Sequence, residues 1–149
     1  QRAEQINEVK QNDFFHKGSV ADFFIYKDPI FAQLNLDDEE LKLYKQIYQF
    51  LELKVPKPDL VIYLQTPVEL LKKRVDGRSI GYEKTISTEY LEKIAEAYSN
   101  FFHFKYSNQL LIINNENLDV LEDPGAVRML IDKIDQMTST REFFNPKII

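Results

Sequence analysis

Cysteine is absent from the chain, which excludes a disulfide scaffold, a thiolate metal site and a cysteine nucleophile. Only two histidines occur, His16 and His103, so a histidine-based zinc site is not expected. Six prolines and four glycines are too few for a low-complexity or collagen-like chain. No apolar run approaches the roughly 20 residues that span a bilayer, and no signal-peptide pattern is visible. Basic charge is also in short supply. Nineteen Lys and Arg face 24 Asp and Glu, a net charge of −5, whereas a general nucleic-acid binder needs a basic field to displace counterions. What remains is one domain's worth of chain, 149 residues with 44% apolar and 29% charged, able to bury a core and stay in solution. The lack of cysteine fits a reducing cytoplasm.

The chain opens on Gln1 rather than Met, inside a helix-like stretch (Ala3, Ile6, Val9) with no N-cap before it. That is what a helix cut in the middle looks like, and we expect an N-terminal part of the fold to lie before it. After Gly18 and Ser19 comes "VADFFIY", residues 20–26, too short to assign as strand or helix. Residues 37–53 predict a helix, with Asp37 and Glu40 as a capping pair and Leu41, Tyr44, Ile47, Tyr48 and Leu51 on one face. "LVIYL", residues 60–64, reads as a strand covered on both faces, and "QLLII", residues 109–113, as a second. Thr66 and Pro67 are a helix-opening pair, with Thr66 as N-cap and Val68, Leu71 and Val75 inward. The longest helix is expected over residues 87–104, with Tyr90, Leu91, Ile94, Tyr98, Phe101 and Phe102 on one side. A last helix opens at Asp123 and Pro124, with Val127, Leu130, Ile131 and Ile134 inward. No linker or repeat divides residues 1–149, so one domain is expected. The order of elements is that of an α/β layer with a parallel sheet.

The chemistry concentrates in "PDLVIYLQTPVELLKKRVDGRSIGYEKTISTEYL", residues 58–91. Cations at a helix C-terminus complement its dipole, which accounts for Lys72 and Lys73. Arg74 and Arg78, two of only five arginines, are four apart beside a glycine-flanked break. An arginine fork suits phosphate oxygens, and an arginine loop that closes on a phosphate chain is one way phosphoryl transfer recruits charge. Asp22 reads either as a buried acid satisfied by backbone or as a site residue. Asp28, before Pro29, reads as a helix cap or a ligand, and Glu83 as a solvated loop charge or a ligand. Most of Phe14, Phe15, Phe23, Phe24, Tyr26 and Phe31 are expected in the core, with Phe23 or Phe24 lining a site, and His103 is expected to be structural.

Taken together, "PDLVIYLQTPVELLKKR", the arginine loop, the following glutamate and "ISTEYLEKI" resemble the C-terminal half of the deoxynucleoside kinases, the bacterial deoxyadenosine and deoxyguanosine kinases above all. "ADFFIYKDPIFAQLNLDDEELKLY" resembles the segment after that family's third strand, and "QRAEQ" the helix before it. The resemblance covers nearly all of residues 1–122 in the right order. It implies a three-layer P-loop kinase-like fold, with the first strands before this chain, acting on a purine deoxynucleoside with ATP and Mg2+.

By the same resemblance, Arg2 and Asp28 reach the nucleobase edge, Asp22 lies near the sugar 5′-hydroxyl, and Glu83 binds the 3′-hydroxyl. Arg74 and Arg78 contact the transferred phosphates, and Asn115 and Asn117 fall in the loop against the ATP adenine. A cytoplasmic homodimer is implied, with no metal ligands from the chain itself, no nucleic acid and no membrane. Departures stand out. Phe23 replaces the motif's arginine, and Arg78-Ser79-Ile80 replaces arginine-glycine-arginine. No G-x-x-x-x-G-K-[ST] occurs, and glycines at 18, 77, 81 and 125 only cannot form a phosphate cradle, so the chain alone is expected to be inactive. A nucleoside monophosphate kinase-type enzyme, or a decayed partner module beside a folate-pathway pyrophosphokinase, are the rival expectations.

Overall fold

The capping pair expected at Asp37 forms in full. In the computed structural model, which describes residues 20–22, 24–52, 55–77, 86–116, 118 and 123–146, Asp37 Oδ1 accepts from the Glu39 and Glu40 amides at 3.0 and 2.9 Å. Glu40 Oε2 in turn accepts from the Asp37 amide at 3.1 Å, the reciprocal arrangement of a capping box. The cap starts α2 (Asp38–Glu52), which follows α1 (Lys27–Asn35) after a two-residue link. Residues 24–28 form a turn, with Lys27 N donating to Phe24 O and Asp28 N to Ile25 O at 3.0 and 3.2 Å. The ambiguous apolar run therefore feeds a helix. These helices belong to the first of two compact units, Gln1–Pro58; the second is Asp59–Ile149.

The second unit is an α/β layer. Its elements are β1 (Val61–Gln65), α3 (Val68–Gly77), α4 (Thr88–Asn100), a π-helical turn (Phe101–Lys105), β2 (Leu110–Asn114), α5 (Pro124–Asp135) and β3 (Arg141–Phe144). The sheet is parallel throughout with order β1-β2-β3. β2 is central, and Leu110, Leu111 and Ile113 are fully buried, as a continuous apolar run in a covered parallel strand should be. Partnered residues in a parallel ladder share a face, so the register puts Ile62, Leu64, Leu111 and Ile113 on one side and Val61, Tyr63, Leu110 and Ile112 on the other.

Each side has its own cover. Leu111 and Ile113 pack with Leu118 and Ala126, and Leu60, Leu130, Ile134, Met137 and Phe144 surround them. On the opposite side Tyr63 stacks on Phe102 (centroids 4.5 Å apart) and Tyr98 (6.3 Å). Helices on both faces of the sheet make three layers. Ser87 caps α4 by accepting from the Tyr90 amide at 3.1 Å, and Asp123 caps α5 by accepting from Gly125 N at 2.8 Å.

Several expectations need correction. β1 is covered on one face only: Ile62 and Leu64 are 37% and 46% exposed, because the α5 side of the core gathers over β2 and β3. Leu130 and Ile134 of α5 pack inward as expected, but Val127 and Ile131 face outward, and Ala126 and, beyond the helix, Met137 complete the inward set. The helix expected to run to residue 104 widens into the π-helical turn after Asn100. Within the tail after Thr138, Arg141–Phe144 form the third strand, unrecognised in the sequence. It is pinned by Glu142, which accepts from Lys133 Nζ at 2.5 Å and from the Thr138 and Ser139 amides at 2.8 and 3.0 Å. Arg141 donates to the carbonyls of His103 and Tyr106 at 2.7 and 2.6 Å, closing the end of the π-helical turn. His103 is thus a structural residue, its ring against Phe143.

Candidate functional site

In the first unit the candidate residue Asp28 stands in the first turn of α1, where the helix dipole favours a carboxylate. Spacing along α1 brings Asp28, Phe31, Ala32 and Asn35 to one side. With Leu36 and Tyr44 they line an open hollow of about 340 Å³. Its lining is mostly apolar with a few polar groups, and it is wide open to solvent. Phe31 is 39% exposed, so a flat ring sits at the edge of a hollow that also holds a carboxylate. Asn35 is steadied by its Nδ2, which donates to Phe31 O at 2.7 Å.

Beside the hollow, Tyr44 and Tyr48 stack at 5.7 Å. Burial first, then the Glu52 carboxylate, pushes the Tyr26 and Tyr48 hydroxyls up, so both stay protonated at neutral pH. Asp22 is exposed and paired with Lys27, whose Nζ lies 3.0 Å from Asp22 Oδ1 and also donates to the Asp22 carbonyl at 2.7 Å. The reading of Asp22 as a buried acid does not hold.

In the second unit the candidate site lies at the C-terminal ends of β1 and β2, the end where open parallel sheets bind ligands. The ladder runs one bond past the strands, Asn115 N donating to Gln65 O at 2.8 Å. That sets Thr66 and Asn115 side by side. Thr66 is not the N-cap expected of it. Leu70 N and Leu71 N bond to the Pro67 carbonyl, and the Thr66 hydroxyl lies 3.1 Å from the Asn115 amide.

Asn115 is 7% exposed, the one buried polar residue of the described core. Its amide fits its surroundings when Oδ1 accepts from Thr66 Oγ1 (3.1 Å) and Arg74 Nη1 (2.8 Å) and Nδ2 donates to Leu118 O (3.1 Å). Turned the other way it makes only the bond from Nδ2 to Thr66, so the first orientation is the one the hydrogen bonding favours. Arg74 stands in the last turn of α3 and is exposed. Lys72 bonds Asp76 at 2.8 Å and the Ile86 carbonyl at 3.1 Å, a tie within the fold.

Arg2, Phe23, Arg78, Glu83 and Asn117 lie outside the described residues. Phe24, one of the two aromatic residues expected to line a site, packs on Tyr26 (centroids 5.2 Å), and Phe31, expected in the core, lines the hollow. The signal for Phe31 was present in the sequence, three residues after Asp28 on one helical face. For Thr66 none was, since the same residue before Pro67 reads as a cap. Among the described residues no group of three acids or histidines could hold a metal, and no helix is long and apolar enough to cross a membrane.

A parallel α/β sheet with polar residues at its C-terminal end, and an arginine held beside them, is an architecture of nucleotide and nucleoside enzymes. Comparison with known proteins narrows the class. The family model for deoxynucleoside kinases matches residues 1–139, and the chain belongs to that family, whose fold is P-loop kinase-like. Deoxyguanosine kinase of Bacillus subtilis is 36% identical over 65% of this chain and 47% of its own length. Deoxyadenosine kinase of Lactobacillus acidophilus is 27% identical over 91% of this chain and 67% of its own. Deoxyadenosine kinase of Dictyostelium discoideum is 37% identical over 57% of this chain and 37% of its own. The chain thus spans between about a third and two thirds of the length of these relatives. No solved structure matches it.

Proposed function

We propose that the protein carrying this sequence transfers the γ-phosphoryl of ATP to the 5′-hydroxyl of a purine deoxynucleoside. The family match across residues 1–139 carries this reading. Because that match crosses both units, we take them as parts of a single kinase domain. The purine preference is supported by the relatives named for deoxyguanosine and deoxyadenosine, and by a hollow that pairs a carboxylate with a flat ring. A carboxylate accepts hydrogen bonds from a base edge, and an aromatic ring adds offset stacking.

In this reading Asp28, with Arg2, selects the base, and Phe23 stands beside the bound nucleoside. Asp22 is the acid near the 5′-hydroxyl, and Glu83 accepts from the 3′-hydroxyl. Arg74 and Arg78 offset the charge of the phosphates as the bond to the acceptor oxygen forms. Arg74 suits this: it is exposed, and beyond the bond to Asn115 it keeps four N–H donors that pair with no carboxylate among the described residues. ATP with Mg2+ supplies the phosphoryl group and the metal, which typically keeps phosphate and water ligands rather than a full protein cage. Asn115 and Asn117 belong to the loop that borders the adenine. This sequence holds no phosphate cradle, so the chain by itself does not turn over. A cytoplasmic homodimer is the assembly we propose, supported by the exposed apolar stripe Leu43, Ile47 and Phe50 on α2.

The test is a thermal-shift series on the full-length protein with the four deoxynucleosides. Deoxyguanosine or deoxyadenosine at 100 times its Kd should stabilise by about 2.7 kcal/mol. Asp28→Asn should weaken that ligand at least about tenfold, or 1.4 kcal/mol. If no deoxynucleoside raises the melting temperature, the proposal is wrong.

A further inference from the structure

We propose that Asn115 is a positioning residue that acts through Arg74, holding one edge of the guanidinium so that its remaining donors face phosphate. The inference rests on the phosphate-side role given to Arg74 above and adds to it a residue that touches neither substrate. An exposed arginine carries substantial rotamer entropy, which a phosphate contact made from a free side chain would have to offset. Here that freedom is already reduced. Arg74 Nη1 donates to Asn115 Oδ1 at 2.8 Å, and the acceptor is itself immobile. Asn115 is 7% exposed, its backbone is in the ladder through Gln65, and its amide is anchored by Thr66 Oγ1 and the Leu118 carbonyl.

A buried amide with a donor or acceptor at each atom is a fixed strut. Thr66 completes the device, since its hydroxyl turns to Asn115 instead of capping α3. With both atoms of its amide engaged inside the fold, Asn115 serves the donor side of the reaction from beneath Arg74.

A double-mutant cycle in the full-length kinase tests this. Asn115→Leu keeps bulk and withdraws the acceptor. It should lower kcat at least about tenfold, roughly 1.4 kcal/mol, with the KM for the deoxynucleoside unchanged. In an Arg74→Ala background the same change should alter kcat less than about twofold, because the two residues act as one unit. Asn115→Asp keeps oxygens facing Thr66 and Arg74 and should retain kcat to within about threefold, a rescue that general loss of packing would not produce. Should Asn115→Leu fail to fold, Asn115→Ser, too short to reach Arg74, carries the same cycle.

Losses that multiply in the double mutant overturn the inference. So does an Asn115→Asp enzyme as slow as Asn115→Leu, and so does a raised KM for ATP at unchanged kcat, which would make Asn115 a contact for the donor nucleotide. If Arg74→Ala alone leaves kcat unchanged, it is the phosphate-side reading of Arg74 that fails, an outcome visible before the cycle is closed.

Discussion

Leu111 and Leu64 lie on the same face of the sheet, and replacing each by alanine should give very different results. Leu111 is fully buried in β2 beneath Leu118, Ala126, Leu130 and Ile134. Its truncation removes roughly three methylene equivalents at about 0.8 kcal/mol each, near 2.4 kcal/mol of transfer free energy. The cavity left in a packed site adds to that, which places the loss at about 3–4 kcal/mol, inside the range seen for such changes. At ~2–4 °C per kcal/mol for a chain of this size, the melting temperature falls by about 10 °C. Leu64 is 46% exposed. Truncating it forfeits about half the transfer term and opens no cavity, close to 1 kcal/mol. Urea unfolding of the two variants beside the parent, with equal slopes, reads the difference directly. Equal costs would refute the reasoning, because they would mean that the face of β1 carrying Ile62 and Leu64 is as well covered as the centre of the sheet.

Glu142 is held down to about 2 from its ordinary 4.5, by Lys133 first and then by the Ser139 and Thr138 amides. A carboxyl depressed on folding contributes stability that is complete above its unfolded value and lost as the pH falls through the folded one. Melting temperature should therefore drop between pH 4.5 and 2 more steeply in the parent than in Glu142→Gln; parallel curves would remove Glu142 as the cause. The Tyr48 hydroxyl is buried with no hydrogen-bond partner among the described residues. A buried hydroxyl in that state costs about 1–3 kcal/mol. Tyr48→Phe should leave stability unchanged or raise it, and a loss above ~1 kcal/mol in urea unfolding would show that the hydroxyl has a partner after all.

How far the candidate residues could be read from the sequence differed between the two units. Asp28 could be singled out because an acid before proline at a helix start narrows to cap or ligand, and the resemblance to the deoxynucleoside kinases points to the second. Phe31 was within reach, since helical spacing alone puts it on the side of Asp28. The strut under Arg74 was not. Asn115 and Thr66 are 49 residues apart, and only the parallel register of β1 on β2, Gln65 opposite Asn114, sets them next to each other.

Local signals decided the helices and two of the strands. Asp37 with Glu40, Ser87 and Asp123 each stop or start a helix through bonds spanning two or three residues, so neighbours in sequence suffice. The continuous apolar runs of β1 and β2 marked a parallel sheet for the same reason. Tertiary structure alone decided which runs are covered, that "REFF" joins the sheet as β3, and that a threonine expected to cap a helix holds a buried asparagine instead. Those outcomes depend on what another segment brings alongside, and burial and hydrogen bonding between distant segments are settled only when the sheet has assembled.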